Sequence, residues 1–333
     1  MQDFDVFNNV DPQLVEWIVR NGRSVQAEQD LCLIAEGDAF AGLFVLEQGT
    51  LIISTSQSQA DDVVLARLGV GSMVGEMSWL ESRPAVARVV ASAGSRIRLI
   101  EPTSLTLLQR PGDPIAPLLY RAICTKLSLQ IQSQNAWIHR FTASVQEPLR
   151  KVLLLFAELE EQDVAWLGQL GQLQRLPPGG VLLEQGQPVA ALYLVLAGDA
   201  RIQINSDGQL KEVGSSRRGE LLGEMSLLNA AMEGASARVD TLAGMELLRI
   251  DKQALLAALA ADNARATRFW RALARMLSQR SRDQLLDRGL AQVSRQAEQT
   301  VDADEMDLEQ LSAATTAGLR FDWLCRRFQD QGG

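Results

Sequence analysis

The sequence predicts an α+β chain: two tandem copies of one antiparallel-strand domain, each flanked by helices, followed by a short helical tail. Three observations carry that reading. First, blocks of the first half recur about 150 residues later, which marks an internal repeat. Gly75-Glu76-Met77-Ser78-Trp79-Leu80 returns as Gly223-Glu224-Met225-Ser226-Leu227-Leu228, the run from Leu43 to Gly49 returns from Leu192 to Gly198, and Ala35-Glu36-Gly37-Asp38 returns as Glu184-Gln185-Gly186-Gln187. Second, the middle of each copy holds apolar runs of strand length cut by glycine. Third, each copy ends in a longer stretch whose apolar residues fall on a helical spacing. A chain of 333 residues has room for two domains of ordinary size. The repeat sets them at residues 5–145 and 146–290, with 291–333 as polar linker and tail.

Taken in order, a short helical segment opens each copy, at Pro12–Val19 and at Glu161–Leu170. The strand runs LFVLEQGTLIIS and LYLVLAGDARIQI follow, and their spacing suggests antiparallel strands joined by tight turns. Gly37, Gly49, Gly186 and Gly198 supply the positive φ that such turns require. A last pair of strands is expected near Ala87–Ser92 and Ser95–Glu101, with counterparts near Ala237–Thr241 and Met245–Asp251. The closing helices are predicted over Pro117–Phe141, with Leu118, Leu119, Ala122, Ile123 and Leu127 on one stripe, and over Asn263–Leu290, with Phe269, Leu273, Met276 and Leu277. Such a stripe either packs on its own domain or forms the seam of a homodimer, and the spacing fits both. The tail turns acidic at VDADEMDLEQ and finishes in an amphipathic segment, Leu311–Phe328, with Leu319, Trp323, Leu324 and Phe328.

Composition narrows the class. Hydrophobic residues at 47% and charged residues at 22% are a globular balance. No run approaches 18 apolar residues, so no membrane span is expected. The N-terminus opens acidic and polar, without the basic and apolar regions of a secretory signal, and a cytoplasmic location is expected. A net charge of −9 argues against nucleic acid as a partner, because phosphate contacts need a basic face. The tail also lacks a second helix carrying basic, base-reading residues. Cys32, Cys124 and Cys325 are far apart and form no CxxC spacing. They are expected to be buried as small hydrophobes, with no metal site and no disulfide framework. The single histidine, His139, falls near the end of a predicted helix and cannot furnish a His-based triad or a His-rich metal site. No nucleophile–base pair and no Walker-type loop is visible, so the chain is not expected to be an enzyme and has no candidate catalytic residue.

The order of these blocks resembles that of the cyclic nucleotide-binding domain family, over roughly residues 5–140 and 150–290. The resemblance implies an antiparallel β-roll, jelly-roll-like, in each copy. It also implies a phosphate-binding cassette, which in the family reads approximately Phe-Gly-Glu-Leu-Ala-Leu, then Pro-Arg-x-Ala-Thr/Ser. There a short helix N-terminus cradles the cyclic phosphate, the Glu accepts the ribose 2′-hydroxyl, and the Arg pairs with phosphate oxygens through its planar fork. By this resemblance the ligand-binding candidates are Gly75, Glu76, Met77, Ser78, Ala85, Val86 and Arg88 in the first copy. In the second they are Gly223, Glu224, Met225, Ser226, Ala235, Ser236 and Arg238.

Both cassettes depart from the family at one place. The Gly-Glu pair is present twice, but the phosphate Arg falls on Ala85, after Pro84, and on Ala235. A charge-assisted hydrogen bond contributes about 1.5–3 kcal/mol, and each ~1.4 kcal/mol is tenfold in affinity, so ordinary cyclic nucleotide binding should be weakened by roughly one to two decades or more. Arg88 and Arg238 recur in one slot. Strand alternation turns Arg88 to the face opposite Ala85, so it either reaches a ligand or stands as a strand-end charge. Glu76 and Glu224 either read a ribose or serve the start of their own helix. The expected function is that of a regulatory or interaction protein, with degenerate cyclic-nucleotide-type domains, acting through a protein partner and without a resident cofactor. The alternative is a sensor of a cyclic nucleotide, weakly bound, or of a related small molecule.

Overall fold

The computed structural model describes residues 10–57, 60–138, 155–206, 208–228, 234–287 and 308–329. His139, the boundary between residues 145 and 146, and the linker from 291 to 307 lie outside the described residues. Two compact units are present: Met1–Ile131 with Leu273–Met306, and Gln132–Ala272 with Asp307–Gly333. The described residues Leu273–Asp287 thus belong to the first unit, although the sequence repeat groups them with the second copy.

The first unit starts with α1 (Pro12–Asn21), capped by Asp11, whose carboxylate accepts the Gln13 N–H at 2.9 Å, and primed by proline in its first turn. Strands β1 (Arg23–Gln26), β2 (Leu31–Ile34), β3 (Leu43–Gln48), β4 (Leu51–Gln57), β5 (Ala60–Leu68) and β6 (Met73–Val74) follow. After α2 (Glu76–Glu81) come β7 (Arg88–Ala91), β8 (Arg96–Ile100), α3 (Pro102–Leu107) and α4 (Ala116–Ile138). One sheet has the order β1-β8-β3-β6, the other β2-β7-β4-β5.

The second unit repeats this plan. It comprises α5 (Glu161–Leu170), β9 (Gly171–Leu176), β10 (Val181–Leu183), β11 (Ala191–Gly198), β12 (Ala200–Ser206), β13 (Gln209–Ser216), β14 (Leu221–Leu222), α6 (Glu224–Leu228), β15 (Arg238–Asp240), β16 (Met245–Asp251) and α7 (Lys252–Ala260). Its sheets run β9-β16-β11-β14 and β10-β15-β12-β13, so each strand takes the place of the one eight earlier. Every strand pairing is antiparallel. Two β-rolls of jelly-roll type result. The long helix α8 (Asn263–Asp287) follows α7, and α9 (Leu308–Gln329) ends the chain.

The cores match position by position. Phe44, Leu46, Leu51, Val74, Val89 and Ile97 fill the first roll, and Tyr193, Val195, Ala200, Leu222, Val239 and Leu247 fill the second. Leu43–Leu46 is buried at every residue, as is Leu192–Val195, which is why these strands read as continuous apolar runs rather than alternating ones.

The predicted tight turns need one correction. The strands on either side of Gly49, β3 and β4, lie in opposite sheets, and so do β7 and β8, the expected last pair. The same holds around Gly198 and for β15 and β16. These turns are corners of the roll, and the true hairpin in each copy is β4–β5 or β12–β13. The corners explain their glycines. Gly49 has φ +96°, and an added Cβ would stand 2.7 Å from Ser95 Cα; Gly198 has φ +84°, with Met245 Cα at 2.9 Å. Two corners cross there, with no room for a side chain. Gly37 and Gly186 also take positive φ.

The stripe residues of α4 are buried at Leu119, Ala122, Ile123 and Leu127, and those of α8 at Phe269, Leu273, Met276 and Leu277. They are covered within the single chain, so a dimer through these helices would have to use other faces. Cys124 and Cys325 are buried as expected, but Cys32 is exposed. It sits between Leu31 and Leu33 on β2 and takes the outward turn of the strand alternation. No described helix is long and apolar enough to cross a membrane.

Candidate functional site

Each cassette begins where a two-residue strand ends in a left-handed glycine. Gly75 has φ +95° and an added Cβ would collide with the Gly42 carbonyl; Gly223 has φ +85° and would meet the Ala191 carbonyl at 2.8 Å. The Gly of the Gly-Glu pair is therefore required by the close approach of the chain entering β3 or β11, ligand or no ligand. A short helix follows, α2 or α6, with Glu76 or Glu224 as its first residue, both buried. A carboxylate there faces the positive end of the helix.

In the first cassette the acidic side chains are already engaged. Glu76 is 2% exposed and forms an ion pair with Lys126 of α4. Trp79 stacks on Tyr120 of the same helix, with centroids 5.2 Å apart and planes 6° apart. At the other end Glu81 pairs with Arg282, Nε to Oε2 at 2.6 Å, both side chains being 2% exposed. Ser278 donates to Glu81 as well, and Arg282 Nη1 donates to the Pro84 carbonyl at 3.3 Å. Ser78 is buried and Met77 half-buried. In the second cassette Ser226 is buried, donating to the Gly223 carbonyl at 2.8 Å, while Lys252 Nζ donates to the Ser226 carbonyl. Met225 is half-buried.

Ala85 and Ala235 occupy one and the same backbone position. Ala85 accepts from Gly37 N–H at 2.8 Å and donates to the Asp38 carbonyl at 2.9 Å; Ala235 accepts from Gly186 at 2.8 Å and donates to the Gln187 carbonyl at 2.8 Å. The strand slot of Arg88 and Arg238 also repeats, opposite Ser54 of β4 and Gln203 of β12. Arg88 is exposed. Arg238 is held by Glu184 and by Asp240, the latter at 3.4 Å, and Asp240 also takes Arg201 at 2.9 Å. The hydrogen bond to Glu184, ahead of the one to Asp240, raises the Arg238 pKa against the opposing effect of burial. Val86 is half-buried and Ser236 exposed.

Lys126, Tyr120, Ser278 and Arg282 escape a reading of the sequence. They are remote from the residues they touch, with 50 positions between Lys126 and Glu76 and 197 between Ser278 and Glu81. The only local sign is a charge set among the apolar steps of a helix, which more often marks a solvated edge. Among the described residues no group of His, Cys, Asp and Glu gathers as a metal site.

The cyclic nucleotide-binding domain family matches residues 24–108 and 173–262, together more than half of the chain. Among its relatives is a cAMP-dependent protein kinase regulatory subunit of Mycosarcoma maydis, 22% identical over 244 residues, covering 69% of this chain and 41% of that protein. The same type of subunit from Yarrowia lipolytica is 22% identical over 236 residues, covering 71% and 54%. A putative potassium channel protein of Rhodopseudomonas palustris is 27% identical over 125 residues, covering 38% and 30%. The chain spans about half the length of the curated protein kinase relatives it matches. Among solved structures, the regulatory domain of Toxoplasma gondii PKA with cAMP is 17% identical, covering 84% of this chain and 92% of that one, with a TM-score of 0.32. Two β-rolls of one plan, a Gly-Glu cassette in each and a family match over each place this chain in the cyclic nucleotide-binding domain family, as two tandem copies.

Proposed function

We propose that this chain is a non-enzymatic cytoplasmic regulator that acts through a protein partner, its two cassettes kept as structural parts and closed to ordinary cyclic nucleotides. One observation supports the reading: Ala85 and Ala235 are equivalent down to their backbone hydrogen bonds, and by the cassette resemblance each puts a methyl at the place of the family's phosphate Arg. An anion brought to either place meets no guanidinium from that position, a loss of about 1.5–3 kcal/mol for each charge-assisted bond forgone. The second-copy Arg nearest in sequence, Arg238, already serves two carboxylates. The recurrent resemblance to regulatory subunits supports a regulatory role, and the family's glycines are accounted for by chain crossing alone.

A second reading, a sensor of an altered small molecule, draws on the retained Gly223 and the buried Glu224. Calorimetry and thermal shift with a panel of cyclic mono- and dinucleotides, up to millimolar, separate the two. The regulator is expected to give neither saturable heat nor a shift. Micromolar binding of any one of them would overturn the silent-cassette reading and establish the sensor.

A further inference from the structure

We infer that Lys126 is the residue that closes the first cassette, by occupying with its ammonium the Glu76 carboxylate that a ribose hydroxyl would need. The inference rests on the functional reading above and goes beyond it. The missing Arg is then only half of the change, and a second residue, on another element, completes it.

At six residues α2 is far too short to hold its own shape, so what grips it sets its position. It is gripped along its whole length: Glu76 at its start by Lys126, Trp79 in the middle by the Tyr120 ring, and Glu81 at its end by Arg282 and Ser278. Glu76 is buried and Lys126 mostly so, with side chains 3% and 13% exposed. A neutral hydroxyl offers the carboxylate one hydrogen bond. Taking that bond at the expense of Lys126 would leave an ammonium buried without its countercharge, which is the costlier state. A ligand that brings only a hydroxyl therefore competes poorly with Lys126 for the oxygen the ammonium holds, Oε1. The second copy differs in sequence here: the stripe Leu119, Ile123, Leu127 recurs as Phe269, Leu273, Leu277, and the place of Lys126 falls on Met276.

The test uses the full chain and cyclic AMP as probe, read by calorimetry. A85R alone is expected to give no saturable heat up to millimolar. A85R/K126Q, and A85R/K126M beside it, should bind at least tenfold more tightly than A85R. Equal binding by A85R alone would overturn the inference while leaving the silent wild type intact, and so would a folded double variant that gains nothing. Binding by the wild type would instead overturn the functional reading, and K126Q alone must then tighten it tenfold for the latch to stand. A second measurement does not depend on the doubles folding. With an amine-reactive reagent and peptide mass spectrometry, Lys126 in the native wild type should react at least tenfold more slowly than the exposed Lys211, and E76Q should narrow that gap. Equal rates for the two lysines in the wild type would end the proposal.

Discussion

At the scale of single residues, burial decides which charges matter. Asp163 sits in the first turn of α5, is fully buried, and accepts the Glu160 N–H at 2.9 Å in a reciprocal capping box. Arg268 grips it with two nitrogens, at 2.6 and 2.9 Å, and Arg265 approaches to 3.5 Å. The hydrogen bond to Asp163 raises the Arg268 pKa against the lowering effect of burial. Removing one member of a buried pair strands the other, so Asp163→Ala is expected to cost about 3–5 kcal/mol. Arg20→Ala, which breaks the exposed pair with Glu16, should change stability by no more than about 0.5 kcal/mol. Urea midpoints check both; a loss at Asp163 as small as that at Arg20 would refute the argument. Nothing in the local sequence announces this node, because Asp163 and Arg268 stand 105 positions apart.

Elements were legible in proportion to how local their causes are. The helix over Glu161–Leu170 and the left-handed glycines were readable because a helix stripe and a turn are short-range matters. Which strands pair was not, since Gly49 and Gly198 join sheets rather than hairpin arms, and only the crossing corner shows that. The cassette glycines and alanines are likewise legible in the sequence, whereas the cation on Glu76 comes from another helix. The tail helix α9 illustrates the middle case. Its amphipathic residues were visible, but they divide between two faces. Phe321, Leu324, Cys325 and Phe328 are buried, with Phe321 against Phe156 at 5.2 Å and Arg320 Nη1 donating to the Phe156 carbonyl at 3.0 Å, while Leu319 is 62% and Trp323 46% exposed. Leu324 also fits the space that Gly168 of α5 leaves, where an added Cβ would come within 3.1 Å. Leu324→Ala should therefore cost about 2–5 kcal/mol through the cavity it opens, and Leu319→Ala about 0.5 kcal/mol or less. Thermal melts of the two variants test this, and equal melting points would show that the helix is not docked by this face.

For the whole molecule, three thiols report on the fold, and each has a different environment. Cys32 lies open on β2, Cys124 is buried in the first unit, and Cys325 is buried in the second beside Arg218. The thiolate is the reacting species. Burial pushes the Cys124 pKa well up, only partly offset by a backbone hydrogen bond, and burial also raises that of Cys325 against the lowering effect of the hydrogen bond with Arg218. A thiol reagent at neutral pH should thus modify one cysteine of the native chain, Cys32, and all three once the chain is unfolded. The same shifts fix the sign of an alkaline effect. An unfolded cysteine loses its proton near pH 8.5, while the folded Cys124 and Cys325 keep theirs to higher pH. Above that point the folded state binds more protons than the unfolded one, so stability falls as pH rises. Urea midpoints between pH 7 and 10 should decline for the wild type, and less steeply for Cys124→Ala compared with its own value at pH 7. Rapid labelling of Cys124 or Cys325 in the native chain would mean that the corresponding core is open.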